Sequence, residues 1–223
     1  MASFKLHSAQ IKFGKKEVLK EISLSLNTDE ILGVFGKNGC GKSTLLKMIF
    51  GTMKKGKINM SIDDISFNPA DIILKEKIAY LPQHSILPRN IKVRDVIPIY
   101  FSAEQKQDAI FYDPLIAKLA AKKIGELSIG QVRYLEVLLV GNLDHPFLML
   151  DEPFSMIDPL YKLEIQKLLK KLKAKKGIII TDHYYQDVLS ISTKNILIKD
   201  GLAYKVENTE DLRNLEYLGK NMA

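Results

Sequence analysis

An α/β fold with a parallel sheet is what this chain of 223 residues predicts. Three observations carry that expectation. Short apolar runs, ILGVF at 31–35, PFLML at 146–150 and GIIIT at 177–181, read as strands buried on both faces. Segments of helical spacing lie between them. A glycine-rich turn joins the first run to the helix that follows it.

Each element follows in order. SFKLHSAQIKF (3–13) and VLKEISLSL (18–26) alternate apolar and polar residues, as half-buried strands do, with a turn at Gly14-Lys15-Lys16-Glu17 between them. Asn27 to Glu30 makes a second turn before ILGVF. KSTLLKMIFG (42–51) has helical spacing and a glycine stop. Residues 57–83 hold further alternating segments. Residues 90–126 change character: VRDVIPIYF and DPLIAKLAAKKIGEL read as an inserted helical subdomain. A helix over 128–141 continues it, with apolar positions at Val132, Leu135, Leu138 and Leu139. YKLEIQKLLKKLKAKK (161–176) predicts an amphipathic helix whose stripe includes Leu163, Ile165, Leu168, Leu169 and Leu172. NILIKDGLAYKV (195–206) predicts a hairpin. Strands alternating with helices argue for a parallel sheet.

Composition narrows the function classes. Apolar residues make up 46% of the chain, enough to bury a core. The net charge of +7 comes from 33 basic and 26 acidic residues, and the basic ones are mostly lysine. Arginine, the residue suited to bidentate contacts with bases, stands only at 89, 94, 133 and 213, so no nucleic-acid partner is expected. The single cysteine excludes an internal disulfide and a multi-cysteine zinc site. The longest charge-free stretch, Ile78 to Pro88, falls well short of a membrane span, and no signal peptide opens the chain. A soluble, cytoplasmic protein is expected.

Two motifs carry chemistry. Gly36-Lys37-Asn38-Gly39-Cys40-Gly41-Lys42-Ser43 fits G-x-x-x-x-G-K-[ST] between a strand and a helix. Its glycines let successive N–H groups turn toward phosphate oxygens, and the helix adds the positive end of its dipole. Lys42 is placed to meet the β- and γ-phosphates, Ser43 to ligate Mg²⁺, and Thr44 to reach the α-phosphate side. Cys40 has no histidine base in sequence and is expected only to line the nucleotide. The second motif, FLMLDEP, brings Asp151 and Glu152 to the carboxyl end of a strand, where α/β folds bind ligands. Asp151 would hold Mg²⁺ through water, and Glu152 would polarise the water that attacks the γ-phosphate.

With these motifs in order, the chain resembles the ATP-binding cassette (ABC) ATPases over nearly its whole length. Phe13 stands where that family places an aromatic on adenine. Gln83 in YLPQ matches the glutamine loop, and LSIGQ at 127–131, followed by Arg133, matches the signature motif. Asp158 matches the loop that contacts the second subunit, and His183 in TDH matches the switch histidine.

The resemblance implies a P-loop NTPase core with a mainly parallel sheet, an antiparallel β subdomain and a helical subdomain. Residues 1–223 would form one cassette: a RecA-like core with the β subdomain from 1–89 and 131–223, and the helical subdomain with the signature at about 90–130. It implies ATP and Mg²⁺ as ligands, with Gln83 sensing the metal beside Ser43 and Asp151. It also implies a head-to-tail dimer in which Ser128, Gly130 and Gln131 of one chain meet the γ-phosphate held by the other. His183 would bridge that phosphate and the partner's Asp158 loop. An integral-membrane permease would be a separate polypeptide, leaving this chain peripheral on the cytoplasmic face of the inner or plasma membrane. A homodimer is expected, with a heterodimer of two cassettes as the alternative.

One position departs from the family pattern: Ile129 stands where the signature usually has glycine. A backbone needing positive φ there would weaken the signature; with negative φ the change is only steric. LDEPFSMIDP, TDHYYQDVL and the tail EYLG are similar to the lipopolysaccharide-export type of ATPase, and the tail also to branched-chain amino-acid importer ATPases. With 40 residues after His183, the long regulatory extension of sugar-importer ATPases is not expected. Two other readings stand beside the transporter motor: a soluble cassette ATPase resembling those of iron–sulfur assembly, and a cassette that binds ATP but hydrolyses little.

Overall fold

The computed structural model describes residues 1–219. Strand β1 (Ser3–Phe13) returns directly into β2 (Lys16–Asn27). The expected four-residue turn shrinks to Gly14-Lys15, because Lys16 and Glu17 pair with Phe13 and Lys12. The alternation of β1 also slips once: Phe4 and Leu6 are buried, then Ala9 and Ile11. A register shift between Leu6 and Ala9 accounts for the extra residue.

After β3 (Ile31–Phe35) and α1 (Lys42–Ile49) come β4 (Lys57–Ile62), the short β5 (Ile65–Ser66) and β6 (Ile78–Leu81). Three short helices follow: α2 (Val93–Tyr100), with Pro98 inside it, α3 (Glu104–Phe111) and α4 (Pro114–Ala117). Then the chain alternates: α5 (Ile129–Gly141), β7 (Phe147–Asp151), α6 (Pro159–Lys173), β8 (Gly177–Thr181), α7 (Tyr185–Leu189), the hairpin β9 (Lys194–Lys199) and β10 (Leu202–Val206), and α8 (Thr209–Asn214).

All ten strands form one sheet in the order β5-β4-β1-β2-β10-β9-β3-β8-β7-β6. β9, β3, β8, β7 and β6 run parallel to their neighbours in that series. The β5-β4-β1-β2 end is antiparallel. The apolar runs are buried on two faces at once, as the pattern predicts. In β3, Ile31 and Phe35 join a core with α5 and α6, while Leu32 and Val34 join a second core with α1, β1 and β2.

Two helices depart from their expected patterns. In α6, Ile165, Leu169 and Leu172 are buried, but Leu163 is exposed. Leu163 lies two residues from Ile165, about 200° around the helix, and so faces outward. α5 is buried nearly all round, and its buried residues include Arg133 and Glu136. Gly141 lets it approach α6 closely: a Cβ there would meet Leu172 at 2.5 Å.

The parallel strands β3, β7 and β8 align their carboxyl ends at one edge of the sheet. The glycine loop leaves β3 there, Asp151 ends β7, and Thr181 ends β8, two residues before His183.

Candidate active site

At that edge a cleft of about 590 Å³ is lined by Phe13, Val18, Asn38, Gly39, Gly41, Lys42, Ser43, Thr44, Gln83, Glu152 and His183. Residues far apart in sequence therefore share one surface. Phe13, at the end of β1, stands half-exposed at the rim.

The glycine loop ends in Gly41, the N-cap of α1, at φ 111°. Only glycine takes that conformation cheaply, and a Cβ would also meet Leu19 of β2 at 2.7 Å. No side chain caps α1. The buried Lys42 bends back, its Nζ donating to the Gly36 carbonyl at 2.6 Å.

Asp151 is oriented from three sides. Its Oδ1 accepts from Thr181 Oγ1 at 2.6 Å and from Ser43 Oγ at 3.2 Å, and its Oδ2 accepts from the Tyr80 hydroxyl at 3.3 Å. Burial and the neighbouring carboxylate push the Tyr80 phenol pKa up, so it stays a donor. Ser43 and Asp151 offer hard oxygen donors side by side, a set suited to a small cation that keeps several waters.

Glu152 leaves the strand direction. Its φ is 52°, an uncommon left-handed conformation for a residue with a side chain, and its N–H donates to Thr181 O at 2.8 Å. Both carboxylate oxygens have partners in the cleft. Oε2 accepts from Gln83 Nε2 at 2.7 Å and Ser155 Oγ at 3.1 Å, and His183 Nε2 lies 2.9 Å from Oε1. An acid, an amide and an imidazole thus converge beside a lysine and a hydroxyl, a set able to bind phosphates and take a proton from water.

The ABC transporter family model matches residues 19–155. The chain belongs to that family.

Relatives and structures agree with this cassette. The lipopolysaccharide export system ATP-binding protein LptB of Escherichia coli (strain K12) is 31% identical over 198 residues, covering 83% of the chain and 82% of that protein. LptB of Haemophilus influenzae is 29% identical over 225 residues, 93% of each. The cassette also shares its fold with solved structures. An ATP-binding subunit of an ABC transporter aligns with TM-score 0.80 at 19% identity, covering 96% of this chain and 93% of that one. A nucleotide-free ATP-binding cassette aligns with TM-score 0.81 at 20% identity, covering 99% and 97%. The cassette is an ATPase subunit of the ABC transporter type, the motor for a membrane permease. Among the described residues no helix is long and apolar enough to cross a membrane.

The signature of the cassette lies outside the cleft. Ser128 caps α5: its Oγ accepts from Gln131 N–H at 3.2 Å while Gln131 Oε1 accepts from Ser128 N–H at 3.0 Å. Ile129 opens the helix at negative φ and is 61% exposed, so its replacement of glycine is a steric change without backbone strain. Gly130 is the crowded position. A Cβ there would lie 2.9 Å from both Asp158 Oδ2 and Tyr161. Asp158 in turn caps α6, its Oδ1 accepting from Tyr161 N–H at 3.1 Å.

Cys40 is not among the residues that line the cleft; it lines an adjoining cavity of about 370 Å³ with Leu197, Ile198 and Tyr217, which shares Val18, Asn38 and Gly39 with the cleft. Burial pushes its thiol pKa up, against the pull of Lys42.

Several residues at the site went unread in the sequence. Thr181, Tyr80 and Ser155 orient the two acids. Asp182 is fully buried, accepting from Phe154 N–H at 2.8 Å and Tyr184 N–H at 3.0 Å, and so ties the loop after Glu152 to the loop of His183. Desolvation raises its pKa. Its position within TDH was the one available signal.

Proposed function

We propose that Glu152 is the general base of ATP hydrolysis and that two cassettes close head to tail around two ATP molecules. The observation that carries this reading is the Glu152 carboxylate held by Gln83 and His183 at the mouth of the lysine and glycine loop. The loop N–H groups and Lys42 bind the β- and γ-phosphates. Phe13 offers its ring face to adenine. Ser43 and Asp151, with Gln83 nearby, would hold Mg²⁺. Bound there, Mg²⁺ offsets charge on the β- and γ-phosphate oxygens.

Glu152 takes the proton of the attacking water, and Gln83 and His183 fix the carboxylate and then the γ-phosphate. Ser128, Gly130 and Gln131 complete the site of the opposite protomer, near the Asp158 loop. The unstrained Ile129 leaves both sites equivalent, which favours a homodimer over an asymmetric pair.

The core of 1–89 and 131–223 and the helical subdomain of about 90–130 divide the labour, with α5 running through residue 130 to join them. Residues 220–223 of that core lie outside the described residues. A groove of about 320 Å³ between the glutamine loop and residues 124–136 is the seat for a cytoplasmic helix of the permease. The cassette then sits on the cytoplasmic face of the inner or plasma membrane. The relatives named for lipopolysaccharide export support an export motor as its role, and the permease chooses the cargo.

The test is Glu152→Gln. Phosphate release should fall by roughly 10²-fold or more with ATP affinity retained, and light scattering should show an ATP-dependent dimer. Unchanged turnover removes Glu152 from the base role.

A further inference from the structure

Two charged side chains sit one turn apart inside α5, Arg133 at 7% exposure and Glu136 at 1%, with Nη1 and Oε2 3.3 Å apart. A buried ion pair of this kind is poor evidence for stability, because desolvation offsets most of the attraction. What else the pair binds is more informative. Arg133 Nη1 donates to the Pro82 carbonyl at 2.9 Å, and Nη2 donates to the Gln83 carbonyl. Glu136 Oε1 accepts from Ser85 Oγ at 2.6 Å and from Ile86 N–H at 2.8 Å.

All four contacts fall on residues 82–86, a stretch with neither helix nor strand. That stretch carries Gln83, whose amide meets Glu152. The same helix begins at Ser128. One rigid element therefore touches the signature at its start and, about a turn later, the backbone that aims Gln83.

We propose that Arg133 and Glu136 are positioning residues: their pair sets the glutamine loop so that Gln83 meets Glu152, and couples the signature helix to the base of the chain's own site. This rests on the reading of Glu152 as base. When the signature engages a phosphate on the opposite protomer, any shift of α5 is carried to Gln83 through two carbonyls, a hydroxyl and an N–H. The two ATP sites of the dimer are thereby linked within each protomer, without a long chain of intermediates.

The experiment is a double-mutant cycle on the full-length cassette. Arg133→Lys keeps the charge facing Glu136 but lacks the planar fork that spans both carbonyls. Gln83→Ala removes the amide. Each single variant should lower kcat about 10-fold with the KM for ATP within about twofold, and the double variant should be no slower than Gln83→Ala alone. A double variant slowed by the product of the two single effects overturns the proposal, since Arg133 then acts other than through Gln83. Glu136→Gln, which keeps the volume and an acceptor oxygen, serves the same cycle where Arg133→Lys fails to fold.

The two readings fail separately. Wild-type turnover in Arg133→Lys, with Glu152→Gln inactive, overturns the positioning role alone. Full turnover in Glu152→Gln removes the base, and with it the reason to aim Gln83.

Discussion

The cassette contains two helix N-termini assigned to phosphate, and they are built differently. α1 begins without a side-chain cap, at a glycine whose φ of 111° excludes other residues, with a lysine beside it. α5 begins with Ser128 and Gln131 capping each other, on an exposed surface. The first has N–H groups ready for an anion and little else to satisfy them. The second is satisfied by its own side chains and, in the proposed dimer, depends on a partner to bring the anion. An unfilled helix start binds ligand in a single protomer; a self-capped one can wait in solvent without cost. The Ser128 hydroxyl oxygen accepts the cap bond and keeps its O–H to donate.

Substitutions sharpen the contrast. The largest effect is expected at α1: Lys42→Ala should weaken ATP binding by about 100-fold in the isolated protomer, read by titration with a fluorescent nucleotide. Normal affinity would erase the difference between the two helix starts. Ser128→Ala should leave that affinity within about twofold but lower turnover about 10-fold, because in the proposed head-to-tail dimer its phosphate belongs to the other protomer. Urea unfolding should also show the lost cap, about 1 kcal/mol. A drop in single-protomer ATP affinity would break the comparison from the other side. The smallest effect is expected from Ile129→Gly, with phosphate release changed by less than about twofold. Glycine in a helix costs about 0.5–1 kcal/mol, measurable in the same urea titration. A large gain in turnover would show that Ile129 does obstruct the signature.

What was legible in the sequence was contiguous. The glycine loop, the DE pair and the buried strands each occupy a few adjacent residues whose spacing alone specifies backbone conformation and charge. That those strands run parallel was legible with them; their order in the sheet was not. The glutamine-loop clamp was illegible for a physical reason: apart from the Ser85 hydroxyl, Arg133 and Glu136 bind main-chain groups about fifty residues upstream, and main-chain groups leave no mark in a sequence. Asp182 is similar, since its partner is the N–H of Phe154. Leu163 was misassigned because leucines are dense in α6, and only the angle about the axis separates it from Ile165. The slip in β1 had no composition signal at all.

The left-handed backbone at Glu152 has an evolutionary consequence. Glycine would occupy φ 52° without steric penalty, so the backbone gains nothing from a side chain there. Selection for stability and selection for turnover pull in opposite directions at this residue. A lineage released from the need to hydrolyse ATP would be expected to drift toward glycine or asparagine at position 152 first. On the reading of Glu152 as base, the residue found there marks hydrolysis as retained at a position where its side chain carries a conformational penalty.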